Sequence, residues 1–255
     1  MTNLSEPELI DHVFCLGYYS TMITNVEFDK LYARRGFASQ RKYPNEQLIQ
    51  FLAANFFAIP KNERKDFAIL ELGCGSGANL WMIAKEGFDA YGLDNSAHGI
   101  ELCKQLLDVY DVTAHLAVGD FRKLEYFDNY FDAIIDVVSL QHSNLEGHEE
   151  SYKEIMRCLK PGGKFFSWHL GDKSISFREH KGSFLDAQTI DDIGAGLPLS
   201  GNGMTCFLNP EIARKMLSSA YFQTVEIEQV LRTYKEMTQT VEYLAIQATK
   251  PTTDS

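Results

Sequence analysis

The feature that most constrains the fold is a glycine-rich turn between an apolar segment and a helix. Residues 67–72 are mostly apolar, and Gly73-Cys74-Gly75-Ser76-Gly77 follows directly. Glycine adopts positive φ without steric penalty and lets a ligand approach the backbone closely. Asp94 ends the next apolar segment, 21 residues after Gly73, and an acid at that distance can bind both hydroxyls of a ribose. The pattern predicts a strand–turn–helix unit that holds a nucleoside-containing cofactor at the helix N-terminus.

The glycine turn alone leaves two kinds of cofactor open, a dinucleotide and S-adenosylmethionine. Gly73-x-Gly75-x-x-Ala78 also matches the G-x-G-x-x-G/A pattern of dinucleotide-binding folds. A nucleotide-sugar or short-chain dehydrogenase is disfavoured, because Tyr152-Lys153 does not provide the Tyr-x-x-x-Lys pair of those enzymes.

Three further segments follow the glycine turn along the chain. They are Gly119-Asp120-Phe121, residues 131–142 (FDAIIDVVSLQH) and residues 159–166 (LKPGGKFF). With the turn, they resemble the class I S-adenosylmethionine-dependent methyltransferases, especially the small-molecule branch, most strongly over residues 65–170. The resemblance implies a doubly wound, mostly parallel seven-stranded α/β sheet. It also implies O- or N-methyl transfer from S-adenosylmethionine to a small-molecule acceptor by in-line displacement. An NAD(P)-dependent oxidoreductase and a non-catalytic S-adenosylmethionine-binding regulator stay as alternatives.

The resemblance also gives roles to single residues. Glu71 would meet the ammonium group of the cofactor, Asp120 would accept from the adenine amino group, and Phe121 would pack on the adenine ring. The full set of cofactor-binding candidates is Glu71, Gly73, Cys74, Gly75, Gly77, Asp94, Asn95, Asp120, Phe121, Val137 and Val138.

Candidates for the acceptor side follow the ends of two strands. His142 and His169 are the catalytic candidates, and Trp168 is a further residue that could face the substrate. An imidazole titrates near neutral pH and can therefore act as a general base. A purely structural role is the alternative for each histidine.

Periodicity predicts the organisation of the chain. The predicted strands are residues 67–72, 90–93, 113–118, 131–138, 163–168, 225–231 and 241–248. Segments with apolar residues at helical spacing alternate with the first five strands. This alternation favours a parallel sheet covered by helices on both faces. Residues 1–60 are predicted to form an N-terminal helical cap on a methyltransferase domain of residues 61–255. The glycine-rich segment 170–208 is predicted to be an inserted lid, with Phe184, Met204 and Phe207 as its apolar wall.

Composition limits the classes of partner. A net charge of −11 argues against a nucleic-acid-binding surface. We find neither an apolar run of transmembrane length nor a signal peptide, so we expect a cytoplasmic protein without membrane contact. The five cysteines show no Cys-x-x-Cys spacing, so we expect neither a disulfide framework nor a metal site. A homodimer is left open.

Overall fold

The computed structural model of the protein describes residues 25–252. Its strands are β1 Ala68–Leu72, β2 Asp89–Asp94, β3 His115–Val118, β4 Phe131–Val137, β5 Leu159–Gly171, β6 Thr189–Ile190, β7 Thr205–Cys206, β8 Gln223–Tyr234 and β9 Gln239–Thr249. Its α-helices are α1 Asn25–Arg35, α2 Glu46–Asn55, α3 Leu80–Lys85, α4 Ala97–Val109, α5 Leu145–Cys158, α6 Ile175–Arg178 and α7 Pro210–Ser219. Short 3-10 turns occupy Gly36–Ser39, Arg64–Asp66 and Leu140–His142.

Seven of the strands form one sheet in the order β3-β2-β1-β4-β5-β9-β8. Strands β1 to β5 run parallel, and β9 is antiparallel to both of its neighbours, β5 and β8. The predicted mostly parallel seven-stranded sheet is confirmed. Every residue of β1 is buried, as expected for a parallel strand covered by helices on both faces.

The sheet has its topological switch point at β1. The chain runs from β1 outward to β2 and β3, and then returns to β4 on the other side of β1. Ligands in open α/β sheets bind outside the carboxyl ends of the strands at such a point. In this chain the glycine turn follows β1, Asp94 ends β2 and Val138 follows β4. The fold therefore brings the predicted motifs to one edge.

Strand β5 differs from the prediction at its start. It begins at Leu159, and its pairing with β4 shifts register between Phe131 and Ala133. Pro161-Gly162-Gly163 thus lies inside the strand, whereas the predicted strand begins only at residue 163. A Cβ on Gly163 would lie 2.7 Å from the carbonyl oxygen of Lys160, so the tight bend at this position requires glycine.

The described part of the N-terminal region packs on the sheet. Helix α2 begins after Asn45, whose Oδ1 accepts hydrogen bonds from the backbone N of Gln47 and Leu48. On its inner face Phe51 stacks on Phe166 of β5, with ring centroids 5.0 Å apart. Residues 1–24 lie outside the described residues, so the predicted cap over residues 1–60 stays a prediction.

The segment between β5 and α7 is folded against the domain. It contains α6 and the two-stranded β6–β7 sheet. Phe207 is fully buried in the core and Phe184 is 55% exposed, so neither forms the ligand-facing wall that the sequence predicted. Of the three wall candidates, Met204 lines the cavity described below. Closure of this segment over a ligand stays a prediction.

Within residues 25–252, none of the helices combines the length and the apolar character that a membrane span requires.

Candidate functional site

A cavity of about 410 Å³ lies at the carboxyl ends of β1, β2 and β4, within the size range of small-molecule sites. Ten of the eleven predicted cofactor residues line it: Glu71, Gly73, Cys74, Gly75, Asp94, Asn95, Asp120, Phe121, Val137 and Val138. The exception is Gly77, where the absence of a side chain permits close packing. A Cβ there would lie 2.7 Å from Cys103 Sγ, so Gly77 allows helix α4 to approach the turn.

The glycine turn has the backbone that its sequence predicts. Gly73, Gly75 and Gly77 have φ of +62°, +50° and +85°, in the region that glycine adopts most readily. A Cβ on Gly73 would overlap the side chain of Ser139, and one on Gly75 would lie 2.7 Å from Tyr32 Oη. The turn is therefore shaped by residues from two other parts of the chain.

Asp94 holds the turn from the neighbouring strand. Its Oδ2 accepts a hydrogen bond from the backbone N of Gly75 at 2.8 Å, and its Oδ1 accepts one from the backbone N of Ser96 at 2.8 Å. Burial raises the pKa of this carboxyl. Ser96 in turn donates through Oγ to Asp29 of α1 at 2.6 Å. Asp29 was not predicted as part of the site, because it is far from Asp94 in sequence.

Glu71 is a buried carboxyl group with one oxygen unused. Its Oε1 accepts a hydrogen bond from Asn79 Nδ2 at 2.6 Å, and its Oε2 has no hydrogen-bond partner among the described residues. Burial raises the pKa of Glu71 to about 8. The guanidinium of Arg41 lies close enough to favour the ionised form, but burial outweighs it. An unpaired buried acceptor of this kind calls for a donor from a ligand.

Asp120 and Phe121 line the end of the cavity beyond β3. The Asp120 carboxylate accepts hydrogen bonds from Arg122 Nε at 3.1 and 3.0 Å and from its Nη2 at 2.5 Å. The hydrogen bonds from Arg122 hold the pKa of Asp120 below its usual range. Phe121 is half-buried, and it packs against the core on one side. Asp120 thus already has a partner, a contact that the sequence did not predict.

Polar side chains line the part of the cavity after β4, here called its polar end, beside Phe28, whose ring packs edge-on against His142 with centroids 4.8 Å apart. Gln141 and His142 are in the 3-10 turn after β4, and both line the cavity with Ser143 and Asn144, while Asn202 and Met204 reach it from the inserted segment. Gln141 Oε1 is buried and has no hydrogen-bond partner among the described residues. Burial lowers the pKa of His142 to about 4, so the ring is neutral at physiological pH.

Backbone strain is concentrated next to this polar end. Val138 has φ of +59°, which a β-branched residue rarely adopts. Its backbone N donates to the carbonyl oxygen of Trp168 at 2.9 Å, and the buried Asp136 Oδ1 accepts from the backbone N of Ser139 and Leu140. These bonds hold the strained turn in place. Strained backbone of this kind concentrates at functional sites.

Two acceptor-side predictions are wrong. His169 is fully buried and is not part of the cavity lining. Its Nδ1 lies 2.9 Å from the carbonyl oxygen of Leu170, and its Nε2 lies 3.0 Å from His148 Nε2. Trp168 is also buried and stacks on Tyr243, with ring centroids 4.8 Å apart. Both residues lie inside β5, which extends to Gly171. Their side chains therefore pack between the sheet and the elements that cover it, and they do not reach the carboxyl ends of the strands.

The structure also adds residues that sequence reasoning missed. Tyr32, Gln40 and Arg41 line the cavity from the segment before the sheet, and Asn79 and Asn202 line it from later loops. A capping signal could have pointed to Asn79, which precedes α3. The others are brought in by tertiary packing alone.

The chain is similar to known methyltransferases in sequence and in fold. Residues 69–163 match a family model described as a methyltransferase domain. Sterol 24-C-methyltransferase ERG6 of Saccharomyces cerevisiae is 26% identical over 200 residues, which cover 75% of this chain and 49% of that protein. Sterol 24-C-methyltransferase erg6 of Aspergillus fumigatus is 31% identical over 162 residues, 61% of this chain and 42% of that protein. The chain thus spans about half the length of the curated relatives it matches.

Solved structures show the same fold at low identity. A chain from a structural study of the conversion of a disulfide bond into a thioacetal group during echinomycin biosynthesis aligns with a TM-score of 0.65 and 19% identity, over 89% of this chain and 93% of that one. Phosphoethanolamine N-methyltransferase 2 of Haemonchus contortus, solved with S-adenosyl-L-methionine, aligns with a TM-score of 0.58 and 14% identity, over 89% and 57% of the two chains. Together with the ordered motifs, the methyltransferase-domain match and the sterol methyltransferase relatives indicate a class I S-adenosylmethionine-dependent methyltransferase.

Proposed function

We propose that this chain transfers a methyl group from S-adenosylmethionine to an oxygen or nitrogen atom of a small polar acceptor. The observation that carries the proposal is the buried Glu71 Oε2, which has no hydrogen-bond partner among residues 25–252 and lies in the wall of a cavity whose glycine turn is held by Asp94. A buried carboxyl oxygen without a partner is costly, and the ammonium group of the methionine moiety would pair with it and stabilise its ionised form.

The remaining cavity residues fit the rest of the cofactor. With the ammonium group at Glu71, Asp94 would bind the ribose hydroxyls, and Asp120 and Phe121 would contact adenine; all three line the cavity. Arg41 lines the cavity near Glu71, and it is the cation best placed for the methionine carboxylate. The site therefore offers one group of suitable charge for each polar part of the molecule.

When bound, S-adenosylmethionine supplies a methyl carbon on a positively charged sulfur that leaves as a neutral thioether. The residues of this chain need mainly to position the two reactants in line. The neutral ring of His142 would take the proton released by a hydroxyl or ammonium acceptor. Gln141 Oε1 would accept a hydrogen bond from the same acceptor and orient it.

The polar end of the cavity favours a polar acceptor over a sterol. A sterol is almost wholly apolar, and it would leave the buried Gln141 Oε1 without a partner, which costs free energy.

Calorimetry and a transfer assay test the proposal in two steps. We expect S-adenosylmethionine and S-adenosylhomocysteine to bind the protein, and NAD and NADP not to bind. Transfer of a labelled methyl group is then measured with panels of small alcohols, phenols and amines, and with cycloartenol as the sterol probe. Tight NAD(P) binding without S-adenosylmethionine binding would support the oxidoreductase alternative and overturn the proposal.

The other outcomes are equally informative. Methylation of cycloartenol, but of none of the polar panel, would contradict the polar acceptor. Cofactor binding without transfer to any compound of a complete metabolite extract would support a non-catalytic regulator. A location in the cytoplasm and the absence of nucleic-acid and membrane partners stay predictions, as does the homodimer.

A further inference from the structure

A second group of chemically active side chains lies outside the cofactor cavity. His148 of α5, His169 of β5 and Cys206 of β7 are all fully buried. One nitrogen from each histidine and the Cys206 Sγ lie within 4.8 Å of one another. The methyl-transfer mechanism uses none of the three residues, and none of them lines the cavity.

Hydrogen bonds to backbone carbonyls define which nitrogen of each histidine carries a proton. His169 Nδ1 lies 2.9 Å from the Leu170 carbonyl oxygen, and His148 Nδ1 lies 2.9 Å from the Asn144 carbonyl oxygen. A carbonyl oxygen can only accept, so both Nδ1 atoms donate. Both Nε2 atoms then present lone pairs, yet they face each other at 3.0 Å. Two bare nitrogens repel at this distance unless a positive charge lies between or beside them.

We propose that His148 Nε2, His169 Nε2 and Cys206 Sγ bind a transition-metal ion of the zinc class. Donation from Nδ1 to a backbone carbonyl is the usual way in which a metal-binding histidine is oriented. Two nitrogens that share a tetrahedral zinc ion lie about 3.3 Å apart, given Zn–N bonds of about 2.0–2.1 Å. The observed separation of 3.0 Å is close to this value. Three protein ligands leave one position for a small molecule such as water.

The metal-free alternative uses Ser143. Its Oγ lies 3.2 Å from His148 Nδ1, and if it donated there, His148 could donate through Nε2 to His169. That arrangement would set the His148 Nδ1 lone pair against the Asn144 carbonyl at the shorter distance of 2.9 Å. It would also remove the Ser143 hydroxyl proton from the Leu140 carbonyl, 3.1 Å away. The geometry therefore favours the metal-binding tautomers.

The position of the three ligands suggests what the ion does. Cys206 belongs to the segment inserted after β5, whereas His169 lies in the sheet and His148 in a covering helix. The ion would join these three parts, much as a disulfide would. It therefore stabilises the inserted segment against the sheet, and its loss lowers stability without removing any residue of the cofactor cavity.

Metal analysis and cobalt spectroscopy test the proposal. The full-length protein is purified without chelator, and a second sample is unfolded and refolded with Zn²⁺ or Co²⁺, because the buried site is accessible only during folding. We expect about one equivalent of metal per chain, a thiolate-to-cobalt charge-transfer band with Co²⁺, and a lower melting temperature after refolding with chelator.

The Cys206→Ser variant should lose the charge-transfer band, and Cys158→Ser, which changes a buried cysteine outside the cluster, should keep it. If Cys206→Ser does not fold, X-ray absorption of the wild-type zinc protein decides, since it reports the nitrogen and sulfur ligands directly. Absence of bound metal in every sample overturns the proposal. A charge-transfer band that survives Cys206→Ser also overturns it.

Discussion

The carboxylate of Asp94 accepts a hydrogen bond from the backbone N of Gly75 at 2.8 Å. The acid that the sequence assigned to a ribose thus also fixes the turn around the methionine end of the cavity. One side chain couples the two halves of the proposed cofactor site. A substitution at Asp94 should therefore disturb both the ribose contact and the glycine turn at the methionine end.

Asp94→Ala should weaken binding of S-adenosylhomocysteine by roughly ten- to a hundred-fold, since a hydrogen bond to a charged group contributes about 1.5–3 kcal/mol. Isothermal calorimetry measures the change. The matched control is Asp108→Ala on the exposed side of α4, which should bind as the wild type does. Unchanged affinity in Asp94→Ala would remove this residue from the site.

Glu71→Gln should have opposite effects on stability and on binding. In the wild type without ligand, the unfolded chain loses the Glu71 proton near pH 4.5, while the buried carboxyl keeps it until about pH 8. The folded state binds more protons in this window, so stability falls as pH rises through it. Glutamine has no proton to lose and can still accept from Asn79.

We therefore expect the Glu71→Gln melting temperature to match the wild type near pH 5 and to exceed it at pH 8.5. Affinity for S-adenosylhomocysteine should fall about tenfold, because the ammonium group loses its charged partner. Thermal unfolding and calorimetry at the two pH values measure both effects. If the variant is instead less stable than the wild type at pH 8.5, the Glu71 carboxylate stabilises the folded state without a ligand, and the proposed ligand-binding role is contradicted.

Gly73→Ala should lower both stability and cofactor affinity. Its φ of +62° alone costs an alanine about 1–2 kcal/mol, and the new Cβ would overlap Ser139. The control is Gly36→Ala, which has a similar φ of +51° and a new Cβ that would meet Leu102 Cδ2 only at 4.0 Å. Urea unfolding should show a larger loss for Gly73→Ala, and only this variant should lose binding. Equal losses in the two variants would mean that the contact with Ser139 relaxes without cost.

Asp120→Asn tests recognition of the adenine amino group. We expect the wild type to prefer S-adenosylhomocysteine over S-inosylhomocysteine, in which a carbonyl replaces the amino group, by about tenfold. The variant should lose this preference, because an amide has both a hydrogen-bond acceptor for the amino group and a donor for the carbonyl. Asp128→Asn is the control, since Asp128 is also an exposed acid paired with an arginine, Arg157. A preference that persists in Asp120→Asn would leave Asp120 as the partner of Arg122 only.

Local patterns predicted the sheet and most of the cavity. Gly73, Gly75, Asp94 and Val138 are each positioned by the end of the strand that precedes them, so sequence spacing is enough to place them. Arg41 could not be predicted, because it precedes the first strand of the sheet and reaches the cavity through tertiary packing. Such contacts leave no periodic signal in the sequence.

His169 was misassigned for a related physical reason. Strand β5 is buried on both faces, so its residues do not alternate between apolar and polar. Phe166 and Trp168 pack with one core cluster and Phe165 with the other, which puts His169 on the face of Phe165, toward His148. Without alternation, the sequence indicates neither the face of a side chain nor how far the strand continues.

The inserted segment provides the last prediction. Asn202 and Met204 reach the cavity from it, whereas Phe177 and Phe184 pack against each other, with ring centroids 5.7 Å apart. Hydrogen exchange with S-adenosylhomocysteine should therefore slow in residues 199–206 and 29–41, as well as in the glycine turn, while residues 175–190 exchange as before. Ligand binding orders the backbone that touches it, and this part of the insertion would then act as the lid. Slower exchange confined to residues 73–77, 94–96 and 119–121 would instead mean that the insertion is a fixed part of the fold, and that acceptor access is controlled by Gln141 and His142 alone.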